Sequence, residues 1–468
     1  MSHNIIPFRA NQLQSLGIPM LMTIDTTKVG STNTQSIVLP LQNYAVNMTV
    51  YWGDGTSDLI TTYNQAELLH GYSSSGTYQI TLDGSFGGFK FNNGGDKLKL
   101  SSIDNWGTNQ WSSMNSAFYG CSNMIGTYTD SPDTSNVGDM QIAFGDCTNF
   151  NSAVNFDTSN VTDMLGMFYN CVIFNQPVNF DTSSVINMTS MFALCYDFDQ
   201  LVTFDTSSVI NIGSMFFSCS SFNQAVTFDT SSVTDISRMF ESCSSFNQLL
   251  TFDTSSVTDM SRMFHSCIIF NQPVNFDTSS VITMSAMFFQ CYVFDQAVTF
   301  DTSSVTSMQV MFGYCTNFNS SVTFDTSSVI TIGGMFIGCT NFNQPVTFDT
   351  SSVTSMYEMF ALCSSFNQPV TFDTSSVTSM IRMFLSCTIF DQDISGFNIT
   401  SLDNASGMLQ NSAFSQVNYD LLLPDWDSYG RLNVTFHAGS AQYGTGAPAT
   451  AKADMLLDGW SITDGGPA

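Results

Sequence analysis

Positive charge is scarce in this chain of 468 residues. Ten lysines and arginines stand against 38 aspartates and glutamates, which gives a net charge of −28 at pH 7. A chain of this charge repels phosphate backbones, so nucleic acids and anionic membranes are poor partners. Divalent cations, basic ligands and neutral ligands such as glycans are compatible with the composition.

Long apolar runs are missing as well. No stretch approaches the ~18 consecutive apolar residues that a membrane-spanning helix needs. Residues 1–12 lack the charged and then apolar profile of a secretory signal. The sequence therefore predicts no membrane insertion and no signal peptide.

Catalytic and metal-binding motifs are also absent from the sequence. It contains no C-x-x-C, no H-E-x-x-H, no phosphate-binding loop and no dinucleotide fingerprint. The four histidines are isolated from one another: His3, His70, His265 and His437. We therefore expect a protein that is not an enzyme and that needs no cofactor.

Repetition is what the chain has in abundance. Twelve cysteines run from Cys121 to Cys387, with a first gap of 26 residues and gaps of 24 thereafter. A phenylalanine stands three residues before each cysteine and three residues after every cysteine but the first, where Met124 takes its place. Self-similarity at a fixed period of this length indicates a repeat architecture.

Each repeat divides into two local patterns. Met164, Met167, Phe168, Cys171 and Phe174 have the spacing of one apolar face of a short helix. Further on, V-x-F alternates as a half-buried strand does, and D-T-S-S favours a turn. The predicted fold is a repeat solenoid of 24-residue coils, each a short strand plus a short helix, stacked about 4.8 Å apart.

The repeat M-F-x-x-C-x-x-F-N-Q-P-V-x-F-D-T-S-S-V-T-x-M resembles that of the BspA-type leucine-rich repeat surface proteins. The resemblance covers about residues 118–393. Members of that family usually carry Trp where this chain has Phe180, Phe204 and Phe228, so the aromatic character is kept and its identity differs. The resemblance implies a leucine-rich-repeat-like solenoid, a cell-surface or adhesive role, and no catalytic residues.

The repeats are flanked by regions of different composition. Short alternating stretches joined by Gly-containing turns precede them, which predicts a small all-β immunoglobulin-like sandwich. The W-G-D-G-T segment at 52–56 and the later H-x-Y and G-T-Y-x-I-x-L segments are similar to PKD-type domains, which implies a spacer or attachment module.

Trp106 and Trp111 are expected to cover the first coil. The predicted regions are a PKD-like β-sandwich (1–100), a junction and N-terminal cap (101–117), a solenoid of about twelve repeats (118–395), and a C-terminal cap or attachment region (396–468) with a helix over 448–457 and a strand at 460–462.

The cysteines and the aspartates each recur as a ladder. Because every cysteine occupies the same apolar position between phenylalanines, a row of small buried thiols is the simplest interpretation; pairing between coils and metal binding are the alternatives. Each aspartate of D-T-S-S is expected to accept hydrogen bonds from the Thr and Ser amides that follow it. The alternative is Ca²⁺ held between coils, with the candidates Asp181, Asp205, Asp229 and Asp253.

Positions that vary from repeat to repeat predict a binding surface. The residues next to the repeated Phe, Cys and first Met are often aromatic, and exposed aromatic side chains suit stacking on sugars or anchoring of a protein. Burial between neighbouring coils is the alternative for many of them. The candidates are Tyr169, Tyr196, Phe217, His265, Phe289, Tyr292, Tyr314 and Tyr357.

These features predict a non-enzymatic adhesin or recognition protein that displays its solenoid to a host surface protein or glycan. The missing signal and anchor favour a virion component, on a phage tail or capsid surface, with other virion proteins as further partners. A bacterial cell-surface adhesin is the first alternative, so the expected location is a virion surface or the outside of a cell. The remaining alternatives are a purely structural protein and a polysaccharide-active solenoid enzyme, which would need paired carboxylates in different environments.

Overall fold

The computed structural model describes residues 17–468. His3 and the N-terminal segment that lacks the signal-peptide profile lie outside the described residues. The chain divides into two compact units, one up to residue 161 and the other from residue 162 to residue 468. Each unit has an apolar core of its own.

The first unit is mostly β-structure. Its strands are β1 (Met20–Asp25), β2 (Ser36–Val38), β3 (Asn47–Tyr51), β4 (Ser57–Ile60), β5 (Leu69–Gly71), β6 (Thr77–Ser85), β7 (Leu100–Asn105) and β8 (Ile125–Gly126). Six of them form one sheet in the order β4-β3-β6-β1-β7-β8, and β2 pairs separately with β5. All these pairs are antiparallel except β7 with β8. In β1 every second residue is fully buried, as the two-residue period of a strand requires.

The turn between β3 and β4 explains the W-G-D-G-T segment. Gly53 and Gly55 have φ values of 84° and 92°, a conformation that glycine adopts without steric cost. Between them, Asp54 accepts hydrogen bonds from the amide and the hydroxyl of Thr56. The predicted turn is therefore confirmed, and it places the indole of Trp52 in the core of the first unit.

Two coils of the repeat also belong to the first unit. Segments 114–121 and 140–147 are joined by backbone hydrogen bonds, among them one of 2.8 Å from the Phe118 amide to the next coil. Trp106 and Trp111 are fully buried, and their ring centroids lie 5.8 and 6.0 Å from that of Phe118. The two tryptophans therefore fill the interior where the first coil begins, as the sequence predicts.

The second unit begins with stacked coils that pair through a ladder of single-residue parallel bridges. The bridged residues are Asp163, Asn187, Asn211, Asp235, Asp259, Thr283, Ser307, Thr331, Ser355, Ser379 and Asn404. From Asp163 to Ser379 they are spaced 24 residues apart, as are the cysteines from Cys147 onward, and the last step is 25 residues. The tandem repeat is therefore a physical stack in which each coil pairs with the next.

We call the eight residues that follow each bridge and end at the next cysteine a turn segment. In segment 164–171, the Met167 amide donates to the carbonyl three residues back, whereas the Phe168 amide donates to Met191 of the next coil at 2.9 Å. In all ten turn segments, up to 380–387, the third and seventh residues have left-handed φ. A helix needs negative φ throughout and keeps its amide hydrogen bonds within one segment. The predicted short helix in each coil is therefore wrong, and a series of tight turns takes its place.

Columns of identical side chains fill the interior of the coils. The ring of Phe264 is fully buried and nearly parallel to those of Phe240 and Phe288, at 6.0 and 5.6 Å. It also stacks on Phe270 of its own coil at 4.2 Å. Phe264 therefore packs against rings above, below and beside it.

The V-x-F stretch keeps the predicted alternation but forms no continuous strand. Val298 and Phe300 are buried and Thr299 is exposed between them. Neighbouring coils pair here only through isolated bridges, such as that of Val298 with Val322. The in–out pattern is confirmed, whereas the strand of each coil is reduced to extended chain.

Two polar ladders also join the coils. Thr254 is fully buried, and its hydroxyl donates to the carbonyl of Asp277 in the next coil at 2.7 Å, a bond that recurs in the neighbouring coils. The Asn247 side-chain oxygen accepts from the Asn271 amide at 2.9 Å and from the Gln272 side chain at 3.3 Å. These bonds explain why Thr of D-T-S-S and the N-Q pair are repeated, since buried polar groups need partners.

Beyond residue 403 the bridges widen into strands and helices appear. The elements are β9 (Asn404–Ala405), α1 (Gln416–Asp427), β10 (Thr435–His437), α2 (Ala447–Leu457) and β11 (Ser461–Thr463). The three strands form a parallel sheet in the order β11-β10-β9. The predicted helix over 448–457 and the strand after it are confirmed, whereas α1, capped by Ser415, is a helix that the sequence does not predict. Among residues 17–468, no helix combines the length and the apolar character that crossing a membrane requires.

Candidate binding surface

The cysteines form an internal row. Cys267 is fully buried and its thiol donates to the carbonyl of Phe240 in the preceding coil, with Sγ and O 2.9 Å apart. Burial raises the pKa of this thiol well above its ordinary value. The same S–H···O bond recurs at every cysteine from Cys195 to Cys387. All twelve cysteines are buried thiols outside any disulfide, which confirms the simplest interpretation of the ladder.

We expect none of these thiols to react with iodoacetamide in the native protein at pH 8. The thiolate is the reactive species, and burial both disfavours it and blocks access. Intact-mass spectrometry should find no adduct before denaturation and twelve adducts after it, one for each cysteine. An adduct on the folded protein at neutral to mildly alkaline pH would show that at least one of the thiols is accessible, contrary to this prediction.

The aspartates of D-T-S-S are held by their own turns. Asp253 Oδ1 accepts from the Ser255 hydroxyl at 2.7 Å and from the Ser255 amide at 3.1 Å, and these two bonds lower the pKa of Asp253. The predicted hydrogen bond from the serine amide is confirmed. The structure does not give Asp253 the one predicted from the threonine amide, and the threonine hydroxyl donates to the next coil instead. The structure gives the same pair of bonds to the other calcium candidates, Asp181, Asp205 and Asp229.

The geometry does not gather these carboxylates around a cation. Within residues 17–468, no group of three His, Cys, Asp or Glu side chains is placed to hold a metal ion. The four candidates lie on successive coils, each turned to its own serine. The structure thus assigns them a role in the turns.

Thermal stability is expected to fall as the pH is lowered from about 5 to about 2. A carboxyl whose folded pKa lies below the ~3.9 of an unfolded Asp stabilises the fold above that pH, and the stabilisation is lost as the pH falls through the folded pKa. Carboxyl NMR titration should show the pKa of Asp253 rising towards ~3.9 in Ser255→Ala. An unchanged pKa in that variant, or a melting temperature raised by millimolar calcium at pH 7, would contradict this role.

The predicted aromatic residues all lie on or beside the turn segments of the second unit. Four tyrosines are 37–41% exposed: Tyr169, Tyr196, Tyr292 and Tyr357. The other four candidates are half-buried: Phe217, His265, Phe289 and Tyr314. Burial between coils, the alternative interpretation, thus applies in part to the second group.

Ring contacts join three of the eight candidates into one cluster. His265 and Phe289 stack with ring centroids 5.0 Å apart and an angle of 13°. Tyr314 meets Phe289 edge-on at 5.4 Å. The other candidates make no ring contact with one another within the described part of the chain. Tyr357 lies elsewhere, beside Arg382.

A group of charged side chains adjoins this cluster and is missed at the sequence level. Glu241 Oε1 lies 3.7 Å from both Arg262 Nη1 and His265 Nδ1, and Oε2 lies 3.6 Å from Arg238 Nε. Burial raises the pKa of Glu241 despite the two arginines, whereas burial and the Arg262 charge lower the pKa of His265. We call the whole group the arginine–aromatic patch: Arg238, Glu241, Arg262, His265, Phe289 and Tyr314.

Glu241 holds the two guanidinium groups only loosely. Its side chain is 8% exposed, and Oε2 has no hydrogen-bond partner. The contacts of 3.6–3.7 Å exceed the ~2.7–2.9 Å of a strong charge-assisted hydrogen bond. Arg238 and Arg262 remain 48% and 46% exposed. Arg382 is similarly exposed, at 52%, and differs from them because it donates directly to Glu358 at 3.1 Å. Donors on Arg238 and Arg262 are therefore available to a ligand.

A family model matches the repeats. Its description reads "Mycoplasma protein of unknown function, DUF285", and it matches residues 88–201, 178–251, 248–323 and 320–426, which together make up well over half of the chain. The chain belongs to the DUF285 family. Comparisons with curated proteins and with solved structures found no match for the DUF285 protein.

The matches fall on the part of the DUF285 protein that carries the candidate surface. Arg238 and Glu241 lie in the match over 178–251, and the rest of the arginine–aromatic patch lies in the match over 248–323. Four successive matches agree with the tandem repeat found in the structure. The family description names no activity.

Proposed function

We propose that this DUF285 protein is a non-enzymatic adhesin or recognition protein. Its stacked coils would bind a surface protein or a glycan of another cell. The observation that carries this proposal is the exposure of tyrosines at the positions where otherwise uniform coils differ.

The repeated residues have structural duties in the stack, whereas several aromatic residues at the variable positions are exposed. Thr254 and Asn247 are typical of side chains bonded to the next coil, and Phe264 is typical of the buried columns. Exposed aromatic side chains such as Tyr196 and Tyr292 have no such duty in the stack. Aromatic residues are enriched where proteins bind partners, because they combine a large apolar area with a polar tip.

We further propose that the stack is a solenoid of the leucine-rich-repeat class, related to the BspA-type surface proteins. Its parallel pairing at a fixed period of 24 residues supports this. The mostly antiparallel sheet of the first unit is proposed as a PKD-like attachment module. We propose a location on an exposed surface, of a virion or of a cell, and fractionation of the source material would assign it.

Catalysis by the aspartate ladder is disfavoured. Acid–base pairs need two carboxyl groups whose environments separate their pKa values. Asp205, Asp229 and Asp253 instead share one environment, and serine bonds lower the pKa of each. The one glutamate with a raised pKa beside a histidine, Glu241, is too buried to reach a substrate.

The test is binding of the fluorescently labelled full chain to host cells and to a glycan array. We expect saturable binding that falls several-fold when Tyr169, Tyr196, Tyr292 and Tyr357 are all replaced by serine. The matched control replaces the exposed Thr227 and Thr299 by alanine on the V-x-F stretch and should bind as the parent does. If the parent binds neither cells nor glycans, a purely structural protein is favoured.

A further inference from the structure

We infer that the arginine–aromatic patch binds an acidic sugar, with the oxyanion on Arg238 and Arg262 and the sugar ring against Phe289. The inference rests on the proposed recognition function and adds a ligand class to it. The shared chemistry is a carboxylate or sulfate group carried by a saccharide ring.

The two arginines are placed to act on one oxyanion. They occupy the same position in successive turn segments, which are joined by a backbone hydrogen bond of 2.9 Å from the Arg238 amide to Ser261. Neighbouring coils at strand-like spacing put equivalent backbone atoms about 5 Å apart. Guanidinium groups present a planar fork of donors that matches an oxyanion. Two such forks on adjacent coils make a clamp.

Glu241 acts as a positioning residue for this clamp. Its carboxylate is buried between the two guanidinium groups and has an oxygen without a hydrogen-bond partner. Burying a carboxylate is costly unless nearby charges compensate it, so the arginines are drawn over it. At 3.6–3.7 Å they are oriented while their outer N–H groups stay exposed.

The charge of the rest of the chain makes the patch selective. Between residues 162 and 403 the only basic residues are Arg238, Arg262 and Arg382, and the last is engaged by Glu358. An anionic ligand is repelled by the remaining surface of a chain with a net charge of −28. The two loosely held arginines are thus the place in the stack where an isolated negative charge is attracted.

The neighbouring side chains favour a sugar over an acidic peptide. Phe289 stacks on His265, which adjoins the clamp, and its half-buried ring offers an apolar contact for a sugar. Ser266 donates to the Gln290 side-chain oxygen at 2.9 Å, which leaves the Gln290 amide group as a neutral donor for hydroxyls.

The experiment measures binding of the full chain to four probes by isothermal titration calorimetry. The probes are a glucuronate oligosaccharide, a sulfated galactose oligosaccharide, a neutral glucose oligosaccharide and an oligoglutamate of matched charge. The variants are Arg238→Gln/Arg262→Gln, Phe289→Ala and, as the matched control, Arg382→Gln. Thermal melting verifies that each variant folds.

We expect the parent to bind an acidic oligosaccharide more tightly than the neutral one and the oligoglutamate. The double arginine variant should lose at least about tenfold in affinity, since each charge-assisted hydrogen bond contributes that order of effect. Phe289→Ala should lose about threefold or more, and Arg382→Gln should stay within about twofold. The glucuronate and sulfated arms identify the preferred oxyanion.

Three results would overturn the inference. They are undiminished binding by the double variant, an equal loss in Arg382→Gln, and a preference for the neutral sugar or the oligoglutamate. A parent that binds cells but no acidic sugar would end the inference and leave the proposed function intact. A parent that binds neither cells nor glycans would end both.

Discussion

Replacing Phe264 by alanine is expected to destabilise the coils around it by about 3–5 kcal/mol. The ring is fully buried between Phe240 and Phe288 and against Phe270. Its removal therefore forfeits the transfer free energy and leaves a cavity that the stiff column cannot close. Because each coil contacts only its neighbours, the loss should be concentrated in adjoining coils. Hydrogen exchange should accelerate at residues 240–288 far more than at 360–387.

The adjacent Phe289 supplies the control for this prediction. Its ring is half-buried on the turn segments, so Phe289→Ala should cost about 1 kcal/mol or less. Urea unfolding of both variants beside the parent would measure the difference. Equal losses at the two positions, or a uniform acceleration of exchange along the stack, would show that the columns do not behave as a chain of nearest neighbours.

Lys99→Met is expected to destabilise the first unit by about 3–5 kcal/mol. Lys99 and Asp96 are fully buried, with Nζ and Oδ1 3.4 Å apart. The ammonium group also donates to the Thr32 hydroxyl at 2.6 Å and to the Ser36 carbonyl at 2.9 Å. Removal of the lysine charge leaves the Asp96 carboxylate buried without its counter-ion, which costs more than a lost surface contact. Calorimetric unfolding would measure the change.

Two further variants separate charge from packing in this prediction. Adding Asp96→Asn to Lys99→Met should recover part of the stability, because the stranded charge is then removed. Lys28→Met is the surface control, since Lys28 is 50% exposed and 3.6 Å from Asp25, and it should cost less than about 1 kcal/mol. A double variant less stable than Lys99→Met alone would argue against a buried ion pair.

The interior of the stack could be predicted from the sequence, and the backbone of the turn segments could not. Cys267 and Phe264 recur at fixed intervals among apolar residues, and such periodicity reports burial directly. The same spacing of three to four residues, however, fits both a helix and a series of tight turns. The two differ in the carbonyl groups to which the backbone N–H groups donate. They also differ in backbone φ, which is 58° at Arg262 and would be negative in a helix. Side-chain spacing carries no information on either.

The candidate surface was predictable only for its aromatic part. Phe289 and Tyr314 stand out as exceptions at variable positions. Glu241, Arg238 and Arg262 were not predicted, although the sequence carries a signal for them. Three of the ten basic residues, Arg238, Arg262 and Arg382, share one repeat position, and Glu241 stands between the first two. The convergence of Glu241 with Arg238 and Arg262 depends on the stacking of turn segments, which a helix in each coil would have arranged differently. What the sequence does not show is which residues of neighbouring coils come together, and the patch depends on that.

The common period of the bridges, the columns and the polar ladders has a consequence for how such a chain changes over generations. Excision or duplication of 24 consecutive residues within 188–379 brings equivalent side chains back into register, because each coil offers its neighbours the same set of contacts. Near-identical repeats also favour unequal recombination of the coding DNA. The number of coils can thus be inherited in whole steps, and variable positions such as those of Arg238 and Arg262 can be gained, lost or multiplied without a new fold.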